Sequence, residues 1–253
     1  FGGFAPSIPG NAAQTEKYNG TNWTEVADLN SAREQGAAAG ATNTASLYFG
    51  GNPVPGVGAN TESWNGTSWT EVNNLNAGRR EFLAGFGTST AAIAAGGPPQ
   101  AVELWNGTCW SEVNNIQTAR ENGAGCGTTT AGLAFGGNPK TGATETWNGT
   151  NWTEVNDLNT ARQYLAGAGA SNTSALAFGG YVPPANKNET ETWNGSNWTE
   201  VNNLNTARAF FGGSSTSQTS AVVFGGGPPT TGKTEDWNGV SWVEVADLNT
   251  ARD

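Results

Sequence analysis

Hydrophobic and polar positions alternate along this chain in a cycle of four short stretches, best seen between residues 164 and 202. "YLAGAGAS" (164–171) is built of small residues, and "SALAFGG" (174–180) is an apolar run closed by two glycines. "ETETW" (189–193) and "WTEVN" (198–202) then alternate polar and apolar residues around Asn194-Gly195. Runs of this length with period two, bounded by Gly and Asn, predict β-strands, and Asn-Gly between two of them predicts a hairpin. A two-residue turn would set Trp147 opposite Thr150 and Glu145 opposite Trp152, with both indoles on one face as diagonal neighbours.

The cycle occurs six times. Its aromatic pair is Tyr18/Trp23, Trp64/Trp69, Trp105/Trp110, Trp147/Trp152, Trp193/Trp198 and Trp237/Trp242, always five residues apart, and these slots hold all eleven tryptophans. Ten residues after each second ring stands an arginine: Arg33, Arg79, Arg120, Arg162, Arg208 and Arg252. Gly-Gly pairs precede the aromatics at 2–3, 50–51, 96–97, 136–137, 179–180 and 225–226. A repeat of 40 to 50 residues implies a stacked or radial architecture, because one copy cannot cover its own apolar face. An aromatic ring buries 150 to 250 Å², worth up to about 4 to 6 kcal/mol at ~25 cal/mol/Å² before entropy is subtracted. The tryptophans are therefore expected to join successive copies.

The first stretch of each cycle is nearly all small: "GAAAG", "LAGFG", "GAGCG", "LAGAG", "FGGSS". Where sheets converge on an axis only small side chains fit, so the pattern predicts an all-β propeller of about six blades of four antiparallel strands. Residues 1–253 form a single domain, with units at about 1–33, 34–79, 80–120, 121–162, 163–208 and 209–253. Only five inner strands are present, since the chain opens on "FGGF" and stops at "ARD". One blade is expected to be completed from outside the segment.

The apolar run ending in Gly-Gly, the later aromatic, the spaced Trp and the following Arg resemble the kelch repeat of kelch and galactose-oxidase-type propellers, over essentially the whole chain. The wording "WNGTNWTEVNDLNTAR…ALAFGG" also resembles repeats in structural proteins of marine bacterial viruses.

Composition narrows the function. The net charge is −10, from 21 acids and 11 bases without a basic run, so the phosphate-neutralising footprint of a nucleic-acid binder is missing. No apolar run has the length of a membrane span, and no signal peptide is visible at Phe1. The lack of Met suggests a chain that starts after a lost leader or is a piece of something larger. Cys109 and Cys126 lack the company of metal ligands or of a disulfide framework and read as free, packed thiols. With no histidine, Ser-His-Asp, Cys-His and most zinc or copper chemistry is excluded, including the copper site that galactose oxidase would suggest. No metal, cofactor or catalytic residue is expected.

Residues repeated in every copy read as scaffold, so function is sought in the departures. The loops after Gly-Gly vary, and they carry Phe4, Ile8, Val54, Val57, Tyr181 and Val182 among prolines, as a docking surface would. Strand order puts them on the same face as the arginine turns. The six arginines are a second candidate, a ring at the channel mouth; in kelch domains, arginines near this position bind acidic peptides. Alternatively each pairs with Glu25, Glu71, Glu112, Glu154, Glu200 or Glu244, two residues after each second ring. The sequons at Asn19, Asn65, Asn106 and Asn148 are explained by turn chemistry.

These observations point to a non-catalytic structural or attachment module that contacts protein subunits or a host surface, with a virion or extracellular location. The alternatives are a glycan-binding propeller, using aromatic and Asn residues between blades, and an adaptor binding acidic peptides through the arginines.

Overall fold

The computed structural model describes residues 12–52, 58–98 and 100–253, apart from the side chains of 214–216. Strands β1 (Thr15–Tyr18) and β2 (Trp23–Val26) form a two-stranded sheet. The first blade is β3 (Ala37–Thr42), β4 (Ala45–Phe49), β5 (Thr61–Trp64) and β6 (Trp69–Val72). The second is β7 (Ala84–Thr88), β8 (Ala91–Ala95), β9 (Val102–Trp105) and β10 (Trp110–Val113), and the third is β11 (Ala124–Thr128), β12 (Ala131–Phe135), β13 (Thr144–Trp147) and β14 (Trp152–Val155). The fourth has β15 (Ala166–Ser171) and β16 (Ser174–Phe178), then a small hairpin of β17 (Tyr181–Val182) and β18 (Ala185–Asn186), then β19 (Thr190–Trp193) and β20 (Trp198–Val201). The fifth is β21 (Gly212–Ser217), β22 (Ser220–Phe224), β23 (Thr234–Trp237) and β24 (Trp242–Val245).

The all-β propeller is thus present, but with five four-stranded blades where about six were expected. The unit at 1–33 contributes, among the described residues, only its outer hairpin, β1–β2. That hairpin closes the ring. On one side the Trp23 indole N–H donates to Thr234 Oγ1 (3.2 Å) and its ring meets Phe224 edge-on at 4.9 Å. On the other, the Trp69 indole donates to Thr15 Oγ1 (3.0 Å). The fifth blade is therefore tied to the first through a hairpin from the other end of the chain.

The aromatic hairpins correct one expectation. Trp147 faces Trp152 and Glu145 faces Glu154, so the connection is a four-residue loop rather than a two-residue turn. The reason lies in Asn148, whose Oδ1 accepts the backbone N–H of Thr150 (2.9 Å) and of Asn151 (2.8 Å), while Gly149 takes φ +95°. An Asx turn of this kind closes a four-residue loop with its own side chain. The indoles consequently pair directly, with centroids 5.3 Å apart. The Gly-Gly pairs are equally determined, since both residues at 50–51, 96–97, 136–137, 179–180 and 225–226 have positive φ, which side-chain-bearing residues rarely adopt.

The described apolar residues form clusters that straddle blades. Trp147 and Trp152 of the third blade pack with Leu83, Ile93 and Val102 of the second, and Trp193 and Trp198 of the fourth with Leu133, Phe135 and Leu158 of the third. Ten of the eleven tryptophans are buried; Trp23, in the closing hairpin, is half-buried. Toward the axis β3, β7, β11, β15 and β21 pack in succession, each on the next. Close approach there demands glycine: a Cβ on Gly85 would lie 2.7 Å from Ala37 Cβ, and one on Gly125 2.6 Å from Ala84 Cβ.

Candidate functional site

Each repeated arginine follows the fourth strand of its unit and turns its side chain into the next blade. Arg79 Nη1 reaches Glu103 Oε1 at 2.7 Å, Arg120 Nη1 reaches Glu145 at 2.7 Å, Arg162 Nη1 reaches Glu191 at 2.6 Å and Arg208 Nη2 reaches Glu235 at 2.7 Å. Arg33 sits 3.0 Å from Glu62, and Arg252 closes the ring on Glu16. The partner is therefore the glutamate two residues before the first aromatic of the following unit. Glu25, Glu71, Glu112, Glu154, Glu200 and Glu244 lie exposed on the outermost strands, so the pairing expected with them is corrected. The third strand has a sheet neighbour on both sides, which buries its glutamate; the fourth strand is an edge and leaves its own in water.

The buried carboxylates take further donors beside the arginine. Glu103 Oε2 also accepts the backbone N–H and the side-chain amide of Asn76, both at 2.8 Å, and that amide donates again to the Trp110 carbonyl at 3.0 Å. The same set recurs with Asn30 on Glu62 and Asn205 on Glu235, and Asn249 on Glu16 at the ring closure. The Arg79 guanidinium also donates to the Ala94 carbonyl (3.1 Å). Burial lowers the pKa of Arg79, Arg120, Arg208 and Arg252, and the facing glutamates Glu103, Glu145, Glu235 and Glu16 oppose the shift. All six arginines are buried, so the expected channel-mouth ring of open guanidinium groups is corrected to six ion pairs between units.

The channel mouth is instead lined by the residue two positions after each of the first five repeated arginines. Gln35, Glu81, Asn122, Tyr164 and Phe210 all hold φ of +54° to +56°, the left-handed region, which is costly for residues with side chains. What maintains it is a chain of backbone bonds from blade to blade: Glu81 N–H to Gln35 O (3.1 Å), Asn122 N–H to Glu81 O (3.3 Å) and Tyr164 N–H to Asn122 O (2.7 Å). The backbone is constant and the side chains all differ. Tyr164 and Phe210 lie ring on ring with centroids 4.0 Å apart, and Phe210 is exposed. Partial burial, then the charges of Glu81 and Glu121, raise the Tyr164 pKa. The five side chains line a cavity of about 1440 Å³ that runs along the inner strands. The position departs in every copy, but with no chemistry shared between the copies the sequence does not mark it as one site.

Of the predicted docking loops, Phe4, Ile8, Val54 and Val57 lie outside the described residues. Tyr181 and Val182 are half-buried in the β17–β18 hairpin, and Tyr181 exchanges backbone bonds with Gln163 (2.7 and 3.2 Å). The bridges Glu34–Asn52, Glu121–Asn138, Gln163–Tyr181 and Ala209–Gly227 bring the loops after Gly-Gly onto the arginine turns, so the two share a face. Neighbouring loops also meet, since Asn186 Nδ2 donates to the Gly227 carbonyl at 3.1 Å.

Cys109 is exposed and Cys126 buried, neither in a disulfide, and burial pushes the Cys126 thiol up to about 12. Among the described residues no three His, Cys, Asp or Glu side chains are grouped to hold a metal ion, and no helix is long and apolar enough to cross a membrane. No protein-family model matches the chain, and no curated protein matches it in sequence.

Proposed function

We propose that this chain is a non-catalytic structural or attachment module of the kelch-like kind, contacting other protein subunits through the rim that carries the Gly-Gly loops and the channel mouth. The supporting observation is a division of labour. The repeated Trp, Arg, Glu and Asn side chains are consumed in joining blades, whereas the positions that change from copy to copy, Gln35, Glu81, Asn122, Tyr164 and Phe210, gather at one mouth. An exposed aromatic among polar neighbours on a rigid frame is the usual make-up of a contact surface. The wording of the repeat, similar to that of marine bacterial virus proteins, makes the surface of a virion or another extracellular assembly the proposed location, with other virion subunits or a host surface as partner. Neither nucleic acid nor membrane insertion has a place in this reading.

A glycan-binding reading draws support from one feature. Tyr164 and Phe210 offer an aromatic face beside Asn122 and Gln35, whose planar amides suit sugar hydroxyls. It would then be a single site at the mouth, since the rings between blades are buried. The acidic-peptide adaptor loses its warrant, because its arginines are paired with glutamates inside the seams.

Calorimetric titration with a panel of oligosaccharides and with an acidic peptide separates these readings. The attachment module should give no saturable heat with either; one saturable sugar site abolished by Phe210→Ala would replace it with the lectin. Quantitative mass spectrometry of purified particles tests the location: a fixed stoichiometry to other virion proteins is expected, and absence from particles overturns it.

A further inference from the structure

Each aromatic hairpin turns on an Asn-Gly pair, and two of these turns are alike in sequence but not in surroundings. Residues 19–26 and 148–155 both read "NGTNWTEV". Any difference in behaviour between them comes from what the fold places beside each.

Both loops carry what attack of the main chain on an asparagine requires. Asn19 Oδ1 accepts the backbone N–H of Thr21 (2.9 Å) and of Asn22 (2.8 Å), as Asn148 Oδ1 does from Thr150 and Asn151. Two donors on a carbonyl oxygen polarise its carbon and hold the negative charge that addition to that carbon creates. The next residue is glycine, whose nitrogen has no Cβ beside it. In neither loop does that glycine N–H donate to a described backbone acceptor.

We propose that Asn19 is a self-modification site, converted by water to aspartate and isoaspartate through a cyclic imide formed with Gly20. The Gly20 nitrogen gives its proton to solvent and bonds to Asn19 Cγ. The Cγ–Nδ2 bond breaks, and Nδ2 leaves with a proton as ammonia. Water then opens the imide: attack at Cγ leaves aspartate, and attack at the main-chain carbonyl leaves isoaspartate. One water is consumed and one ammonia released, with no change of oxidation state. The site is independent of what the rim binds.

The freedom of the loop singles out Asn19, because the glycine nitrogen reaches Cγ only when the turn moves. Four of the hairpins are pinned by an asparagine of the preceding blade. Asn73, Asn114, Asn156 and Asn202 each donate to the carbonyl of the third loop residue, Thr108, Thr150, Ser196 and Val240, at 2.9 Å. Asn114 also donates to Asn151 Oδ1 at 2.8 Å. The residue that would pin the loop of Asn19 is Ala246, which has no amide to offer. On the opposite side the two loops are held alike, Tyr18 O by Asn43 (3.1 Å) and Trp147 O by Asn172 (3.5 Å). All four residues of the loop at 19–22 are exposed, and a Cβ on Gly20 would meet nothing within 4 Å, whereas one on Gly149 would touch Thr130 at 3.5 Å. The loop of Asn65 also lacks its pin, with Ala27 at that position, but it differs in sequence and gives no matched control.

The two products differ in consequence. An aspartate at 19 still accepts both N–H groups. Isoaspartate adds a methylene to the main chain between Tyr18 and Trp23, whose rings lie 5.1 Å apart, and so disturbs the pairing of the hairpin that closes the ring.

The test incubates the folded chain at about pH 8, with a parallel sample in concentrated urea, and follows every Asn-Gly peptide by mass spectrometry, using electron-transfer fragmentation to separate isoaspartate from aspartate. In the folded chain Asn19 is expected to convert about three to ten times faster than Asn148, the factor by which a hydrogen bond of ordinary strength suppresses opening. In urea the two rates should coincide. Asn114→Ala should speed Asn148 and Ala246→Asn should slow Asn19; both positions are on the surface, so the variants fold. Equal rates in the folded chain, a difference that persists in urea, or a rate at Asn148 unmoved by Asn114→Ala overturns the proposal.

Discussion

The seam between the second and third blades and the seam between the third and fourth use the same indole in different ways. Trp198 of the fourth blade donates to Thr144 Oγ1 at 3.1 Å and meets the Phe135 ring at 4.9 Å. Trp152 of the third blade is just as buried, but the position of the threonine is Val102 and that of the phenylalanine is Ala95, so its indole N–H has no partner. Both seams keep the arginine–glutamate pair, at 2.7 Å for Arg120–Glu145 and 2.6 Å for Arg162–Glu191. The comparison ranks the parts of the repeat. The hydroxyl and the second ring are improvements that one seam lacks, whereas the burial of the indole and the ion pair are common to both.

Deleting the indoles should show that ranking at its largest. Trp→Ala in a core costs about 3–5 kcal/mol. Trp198→Ala is expected near the top of that range and Trp152→Ala lower, because both lose the neighbouring indole of their hairpin but only Trp198 also loses a second aromatic partner, Phe135, worth about 0.5–1.5 kcal/mol, and a hydrogen bond worth about 1 kcal/mol. Denaturant unfolding of the two variants measures the difference, and equal costs would erase the distinction between the seams.

Smaller effects follow from exchanging the hydroxyl. Thr144→Val leaves the Trp198 N–H buried without an acceptor and should destabilise by about 1–3 kcal/mol. Val102→Thr gives Trp152 the acceptor it lacks and should stabilise by about 0.5–1.5 kcal/mol, a rise in Tm of about 1–6 °C for a chain of this size. A rise in one seam and a fall in the other identifies this bond; the same sign in both means that the methyl, not the hydroxyl, sets the packing.

The thiols give the mildest test, without any mutation. Cys109 is exposed, whereas Cys126 lies inside the seam of the third and fourth blades with its pKa raised to about 12 by burial. A thiol reagent at pH 8 should modify one cysteine promptly and the second only at the rate of opening. Two prompt modifications would mean that this seam breathes.

Much of this arrangement was legible in the chain. Short strands, glycine-closed apolar runs and small inner residues led to the propeller, and spacing placed the indole pair on one face. Three features were not legible, each for a local reason. Asn-Gly signals a tight turn, but the Asn148 carboxamide closes a loop two residues longer, as its bonds to Thr150 and Asn151 show. Two glutamates per unit keep step with the arginine, and period alone does not tell the buried third strand from the exposed fourth. The candidate site at Gln35, Glu81, Asn122, Tyr164 and Phe210 has no shared chemistry, so only the common left-handed backbone reveals it as one ring.

The most direct test of the claim that repeated residues join blades rather than bind ligands is a double-mutant cycle on Arg162 and Glu191, read by denaturant unfolding. Each single alanine variant strands a buried charge and should lose about 3–5 kcal/mol, while the double variant should lose markedly less than the sum of the two. Single variants that keep full stability, or a double variant that is simply additive, would contradict the account.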